Sequence, residues 1–157
     1  MKPQIGISEK NLDRVTDLLE KGLANEMTLY VKTRKAHWNV TGESFMELHK
    51  LFEGQYKQTE EAIDEIAERI GKLGNETIGT MQEFSKLAII KEHPGKYATS
   101  RDMIKELLKD HECIITTLRK DVEDCDTKYN DAGTTDFLTG LMEQHETTAW
   151  ILRRYLN

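Results

Sequence analysis

Apolar residues recur every three to four positions over most of the chain, a spacing that places them on one face of an α-helix. The first such pattern starts near Ser8, a residue suited to an N-cap, and ends near Asn39. The second runs from Glu43 to Ile70, and Gly71 and Gly74 are expected to end it. These two patterns predict a pair of long helices joined by a short turn.

Two further helical patterns occupy the second half of the chain. One begins after Thr99 or Ser100 and continues to Val122. The other begins near Thr134 or Thr135 and continues almost to the end of the sequence. They predict a second pair of long helices.

The link between the two pairs has a short helical pattern of its own, from Met81 to Ile90, followed by the helix breaker His93-Pro94-Gly95. Two helices, a long crossover with a short helix, and two more helices form a known variant of the four-helix bundle. The fold class is therefore expected to be all-α, with residues 1–157 forming a single domain.

Composition and charge agree with a soluble helical protein. Of 157 residues, 38% are hydrophobic and 32% are charged, and the net charge of −6 argues against general attraction to nucleic acid. Apolar runs fall short of the roughly 20 residues that span a membrane, and the sequence shows no charged-then-apolar leader. Cys113 and Cys125 lie too far apart in one expected helix to bridge each other. We therefore expect a cytoplasmic, reducing location.

Five residues with metal-binding side chains form a spaced set: His37, His49, Glu53, Asp64 and Glu68. The last four fall in the second helical pattern. At 100° per residue, with His49 at zero, Glu53 lies at roughly 40°, Asp64 at roughly 60° and Glu68 at roughly 100°. All four side chains therefore share one stripe of one helix.

This stripe cannot form one site within one chain. With a rise of ~1.5 Å per residue, the His49–Glu53 pair and the Asp64–Glu68 pair lie ~22 Å apart, whereas ligands lie within ~2–2.5 Å of their ion. A second copy of the helix, running antiparallel, brings the first pair of one copy to the second pair of the other. A two-fold axis then creates two identical sites, so the spacing predicts a metal site split across a dimer interface.

Taken singly, these residues favour plainer interpretations. A lone carboxylate on a helix usually faces solvent, and His49 alone is more typical of a structural histidine. Together, two histidines and three carboxylates supply the mixed nitrogen and oxygen ligands that suit iron, zinc or manganese. His111 and His145 lie on or beside the apolar stripes of the third and fourth long helices, and we interpret them as partly buried structural residues.

The metal-type residues sit in a longer pattern of aromatic, apolar and charged positions. It consists of the run His37-Trp38-Asn39-Val40-Thr41-Gly42, then Phe45, Leu48-His49, Phe52, Tyr56, Asp64 and Ala67-Glu68-Arg69, and finally Trp150. This pattern, with the short helix in the crossover, resembles the Dps proteins, the bacterial mini-ferritins named for DNA protection during starvation. The resemblance implies a ferritin-like four-helix bundle assembled as a hollow shell of twelve subunits. Ordinary ferritins instead hold two irons inside one bundle through Glu-x-x-His, a motif absent at all five histidines of this chain.

The resemblance further implies a ferroxidase that oxidises Fe(II) with hydrogen peroxide, or more slowly with dioxygen. The ferric product is stored as mineral, which protects against oxidative damage. His37, His49 and Glu53 would come from one subunit, and Asp64 and Glu68 from its two-fold mate. One position departs from the family, which usually has Asp where this chain has Glu53. The longer arm is expected to affect the second, weaker iron position.

Three further expectations concern residues around the shell. Aspartates before the fourth long helix line iron-entry pores in the family, and Asp131 and Asp136 stand in that stretch. Capping of the helix N-terminus is an equally open interpretation for them. Glu60 and Glu61 are expected to nucleate mineral. Trp38, next to a ligand, is interpreted first as interface packing and second as a sacrificial electron donor.

DNA binding is the family's other activity and relies on a lysine-rich tail. Here Lys2 is the only basic side chain among the seven residues before Ser8, so DNA binding is not expected. The alternative functions are a DNA-coating nucleoid protein with incidental iron binding and a metal-free helical scaffold. A gel shift separates the first of these, because phosphate contacts make binding strongly salt-dependent.

Overall fold

The computed structural model describes residues 3–157, so Lys2, the basic residue of the expected tail, lies outside the described residues. Within that range the regular secondary structure consists of α-helices joined by loops, without strands. The helices are α1 (Glu9–Asn39), α2 (Phe45–Lys72), α3 (Met81–Leu87), α4 (Ser100–Thr127) and α5 (Ala132–Arg154). The expected all-α architecture, four long helices with a short one in the crossover, is confirmed.

Side-chain caps start most of these helices. The Ser8 side chain accepts a hydrogen bond from the Asn11 backbone at the start of α1. The Thr99 side chain accepts one from the Asp102 backbone at the start of α4. Thr80 and Glu83 form a reciprocal capping box at α3. Each cap satisfies backbone N–H groups that have no partner within the helix, so the helix starts are specified locally by the sequence.

The long helices pack as two hairpins, α1 against α2 and α4 against α5, with α1 also contacting α4. Leucine, isoleucine, valine and phenylalanine side chains from the four helices fill one core. Its largest fully buried apolar members are Leu12, Val15, Leu19, Leu23, Leu29, Phe52, Ile66, Ile70, Leu73, Leu107 and Leu152. The short helix α3 packs on α1, where Phe84 joins the core.

Three helix boundaries differ from the sequence expectations. α2 continues through Gly71 to Lys72, so only Gly74, at φ +81°, acts as a break. α3 ends at Leu87, because the chain turns extended at Ala88 while Ile90 still enters the core. α5 begins at Ala132, two residues before the expected start. The spacing of apolar residues indicates which residues are buried. Over a few residues an extended segment can show the same spacing as a helix, so the pattern can continue beyond the end of the helix.

Buried charges hold the crossover against the bundle. The Lys32 ammonium lies 2.8 Å from a Glu106 carboxylate oxygen and 2.6 Å from one of Asp110, and donates to the Lys91 carbonyl at 2.5 Å. Lys35 donates to the His93 carbonyl. Two lysines of α1 thus fix the extended segment that follows α3.

Two observations bear on location and redox state. None of the helices in residues 3–157 is long and apolar enough to span a membrane. Both cysteines are free thiols, Cys113 exposed and Cys125 buried. Burial raises the pKa of the Cys125 thiol to about 12, so it stays protonated and unreactive at neutral pH.

Candidate metal centre

The α1–α2 hairpin brings the first two metal-type residues together. His37 lies in the last turn of α1 and His49 near the start of α2, and five residues connect the two helices. The two imidazole rings stack, with centroids 3.7 Å apart and planes inclined by 20°. A 12-residue separation in sequence thus becomes a direct contact.

Each of the two histidines is oriented by the backbone of the other. His37 Nδ1 lies 2.8 Å from the His49 carbonyl oxygen, and His49 Nδ1 lies 2.9 Å from the His37 carbonyl oxygen. A carbonyl can only accept, so both Nδ1 atoms carry the proton and donate. In the neutral rings both Nε2 atoms then keep a free lone pair, the form in which imidazole binds a metal.

Glu53 lies one turn beyond His49, where the sequence predicts a third ligand on the same side of the helix. It accepts a hydrogen bond from Lys57 at 2.5 Å. That bond and the positive charge of Lys57 lower the pKa of Glu53, with smaller contributions from His37 and His49. The carboxylate is therefore ionised at neutral pH.

The remaining two predicted ligands, Asp64 and Glu68, are exposed on the later half of the same helix. Glu68 accepts from Lys72 at 3.2 Å. Because α2 is uninterrupted from Phe45 to Lys72, the expected ~22 Å separation of the two pairs stands. Among residues 3–157, no three His, Cys, Asp or Glu side chains of one chain are arranged to hold a metal ion. A single chain carries two half-sites.

Aromatic residues pack behind the histidine half-site. The Tyr56 ring stands edge-on to the His37 ring at 5.2 Å, and Phe45 packs on His49 at 5.1 Å. The Arg34 guanidinium lies 4.3 Å from the Tyr56 ring centroid and 5.8 Å from that of Trp38. These contacts limit the movement of both imidazoles.

Large apolar side chains beside the half-site are exposed. Trp38 is 65% exposed, Met46 57% and Phe45 39%. Three such side chains next to partly buried polar ligands form the kind of surface that proteins cover with another chain.

Comparison with known proteins assigns the family. The model of the ferritin-like domain matches residues 16–157. A Bacillus anthracis protein named DNA protection during starvation protein 2 is 35% identical, over 92% of this chain and 97% of its own length. The chain belongs to the Dps family of ferritin-like proteins. An uncharacterized low temperature-induced protein of Nostoc is 44% identical over 97% of this chain and 85% of its own length.

Solved structures agree with this assignment. Dps from Thermosynechococcus elongatus is 32% identical, with a TM-score of 0.90 over 94% of this chain and 93% of its own. A Dps protein from Vibrio cholerae, described as a member of a broad superfamily of ferritin-like diiron-carboxylate proteins, is 29% identical. It has a TM-score of 0.93 over 99% of this chain and 97% of its own. The expected ferritin-like fold of the Dps family is therefore confirmed.

The two pore residues expected from the Dps resemblance have different surroundings. Asp131 is 2% exposed and caps α5, where it accepts from the Thr134 backbone at 2.9 Å and the Thr134 hydroxyl at 2.5 Å. Arg69 donates to the same carboxylate at 3.0 Å. The capping interpretation therefore describes Asp131 in this Dps-family chain. Asp136 lies in α5 beside a surface cavity it shares with Glu65, and its pore role stays a prediction.

Glu60 and Glu61, the two residues expected to nucleate mineral, are both exposed on α2. Tyr30 donates to Glu60 at 3.4 Å, which ties this carboxylate to the aromatic cluster behind the half-site.

Sequence reasoning missed Glu26, a buried carboxyl group in the core of the bundle. Glu26 is 1% exposed and lies 2.8 Å from His145, which in turn contacts His111. The two histidines, expected to be partly buried, are fully buried at 4% and 3% exposure. A charged residue between Leu23 and Tyr30, within the apolar stripe of α1, is the signal that identifies Glu26.

Proposed function

We propose that this protein is a ferroxidase that oxidises Fe(II) with hydrogen peroxide and stores the ferric product inside a shell of identical subunits. The observation that carries the proposal is the paired histidine half-site. His37 and His49 each hold their proton on Nδ1 and leave Nε2 free, with the ionised Glu53 beside them. Imidazole nitrogen with carboxylate oxygen is a ligand set suited to iron.

A second copy of the chain would complete the site. Its Asp64 and Glu68 would face the histidine half-site if the two α2 helices run antiparallel. The exposed Trp38, Phe45 and Met46 beside the half-site support contact with another chain at this face. A two-fold arrangement gives two equivalent sites per dimer, and further contacts would build a dodecamer.

Iron is the substrate of this reaction. Two Fe(II) ions give up one electron each to one hydrogen peroxide molecule, which takes up two protons and becomes two molecules of water. Pairing the electrons avoids the hydroxyl radical that a single Fe(II) produces from peroxide. The three carboxylates favour the product, because Fe(III) is a harder and more highly charged ion than Fe(II).

Storage would follow oxidation in the same assembly. Ferric mineral would nucleate on exposed carboxylates such as Glu60 and Glu61, and iron would enter near Asp136. The cytoplasm would be the site of action, where the protein would limit oxidative damage. Trp38, exposed and adjacent to a ligand, would serve first as interface packing and second as an electron donor.

The deciding experiment removes both nitrogen ligands through His37→Ala combined with His49→Ala. The parent should consume about two Fe(II) per peroxide, following the pairing argument, and spin trapping should show little hydroxyl radical. The double variant should lose this stoichiometry and release radical while circular dichroism still reports a helical fold.

His93→Ala is the matched control, because it removes a half-exposed histidine that is outside the half-site. It should behave as the parent does. If the double variant suppresses radical as well as the parent, the histidine pair is not the ferroxidase site and the proposal fails.

A further inference from the structure

Three titratable side chains that are not among the predicted metal ligands meet in the core of the bundle. Glu26 of α1, His111 of α4 and His145 of α5 are 1%, 3% and 4% exposed. His145 Nε2 lies 2.8 Å from Glu26 Oε1, and His145 Nδ1 lies 2.8 Å from His111 Nδ1. A single chain of hydrogen bonds therefore connects three of the four long helices.

The geometry of these hydrogen bonds limits how many protons the three side chains can hold. Two facing Nδ1 atoms at 2.8 Å can share one proton but cannot each carry one. With His145 protonated on both nitrogens, Glu26 ionised and His111 neutral, every contact has one donor and one acceptor and the net charge is zero. A buried cluster without net charge avoids the large cost of an uncompensated buried ion.

One more proton breaks this arrangement. It would place two positive rings in contact, with two N–H groups pointing at each other across 2.8 Å. The other nitrogen of His111, Nε2, has no hydrogen-bond partner among the described residues and so gains no compensation. The side chains that line the cluster besides these three are uncharged: Gln55, Gln58, Thr59 and Ala62 from α2, and Gln144 and Thr148 from α5. Among the described residues that line this cavity, Glu26 is thus the one carboxylate beside the two histidines.

We propose that Glu26, His145 and His111 form an acid-sensitive latch. While the two histidines share one proton, their hydrogen bonds connect α5 to α1 and to α4. When the second histidine is also protonated, the bond between α4 and α5 is lost. This latch acts on the bundle itself and is independent of iron binding.

The direction of the pH dependence follows from His111. Burial, and next the charge of His145, hold the pKa of His111 well below its usual value. Below a pH of about 6.5, His111 therefore binds a proton in the unfolded chain but not in the folded chain. Stability contributed by the latch is complete above that pH and falls as the pH drops towards the depressed pKa of His111.

His111→Asn tests the latch. The Asn amide oxygen sits near the position of Nδ1 and accepts from His145, but it does not titrate. Urea unfolding of the full protein, followed by circular dichroism from about pH 7 to about pH 4.5, gives the proton uptake on unfolding from the slope of stability against pH. The variant should take up fewer protons, by as much as one, and should resist acid better than the parent. His93→Asn, which removes a histidine outside the cluster, should reproduce the parent slope.

Glu26→Gln is expected to have the opposite effect on acid resistance. It also provides a second test if His111→Asn fails to fold. Without the carboxylate, the protonated His145 is uncompensated, so the acid transition should move to higher pH. Hydrogen exchange of the unmodified protein, corrected for intrinsic rates, should rise in α4 and α5 on mild acidification before it rises in α2. A parent-like slope in His111→Asn, an unmoved transition in Glu26→Gln, or uniform exchange across the helices would each overturn the latch.

Discussion

At the scale of single residues, the histidine half-site depends on which ring nitrogen carries the proton. The mutual bonds of His37 and His49 to each other's carbonyl oxygens settle this before any metal arrives. The His37 carbonyl belongs to the last turn of α1, where the helix has no partner for it. His49 therefore caps a carbonyl at the end of α1 through its Nδ1 N–H, and in the proposed site the same side chain would bind metal through Nε2.

Glu53 stands where the resemblance to the Dps pattern predicts Asp, and its carboxylate lies 2.5 Å from the Lys57 ammonium. In the proposed site, the ammonium of Lys57 competes with iron for this carboxylate. Lys57→Met and Glu53→Asp should both weaken the competition and tighten the second Fe(II) position by about two- to fivefold, the scale of an exposed ion pair. Anaerobic titration calorimetry measures the effect.

Lys50→Met is the control for this prediction, because it removes the same charge from another exposed position of α2. Equal tightening in the control would indicate a general charge effect. Weaker binding in Glu53→Asp would mean that the site is built for the longer side chain.

At the scale of helices, the start of α5 depends on residues from two elements. Asp131 caps the helix, and Arg69 of α2 donates to Asp131 and to the Thr134 hydroxyl at 3.0 Å each. A Cβ at Gly133 would lie 2.9 Å from the Arg69 guanidinium, so a side chain there would push the arginine away. Arg69 therefore joins α2 to the start of α5 through one ion pair and one hydrogen bond, next to a glycine.

Asp131→Ala should lower the free energy of unfolding by about 2–4 kcal/mol, since it removes an N-cap and leaves the partly buried Arg69 without its carboxylate partner. Asp131→Asn keeps an acceptor for the Thr134 backbone and should cost less. Urea unfolding measures both. A loss under about 1 kcal/mol in the alanine variant would contradict the capping role and favour the pore.

At the scale of the whole molecule, the two half-sites of α2 make a prediction about assembly. Shells formed from Glu68→Ala and His49→Ala chains together should contain some sites without a mutated ligand. With random pairing, about a quarter of all sites are intact, because a mixed dimer has one intact and one doubly mutated site.

Co-expression of the two variants with different tags proves the mixing, and shells of each variant alone are the controls. Peroxide-dependent Fe(II) oxidation above both controls is expected. Oxidation no higher than the controls, in shells that carry both tags, would show that the ligands do not come from two chains.

Much of this protein can be predicted from sequence because its signals are local. A helix repeats every 3.6 residues, so the four long helices and the shared stripe of His49, Glu53, Asp64 and Glu68 follow from spacing alone. The caps at Ser8 and Thr99 are local as well. Even the need for a second chain follows, since a rigid helix fixes the distance between its two ligand pairs.

The tertiary structure decided what depends on residues distant in sequence. Glu26 and His145 are 119 residues apart, and no periodicity within either helix shows that they meet. The role of Asp131 depends on Arg69, 62 residues away on another helix. Local spacing determines which face of a helix is buried, but the partner of a buried polar group is set by how the helices pack. Sequence therefore determined the helices and the candidate metal ligands, whereas packing determined the proton positions, the ion pairs and the buried contacts among Glu26, His145 and His111.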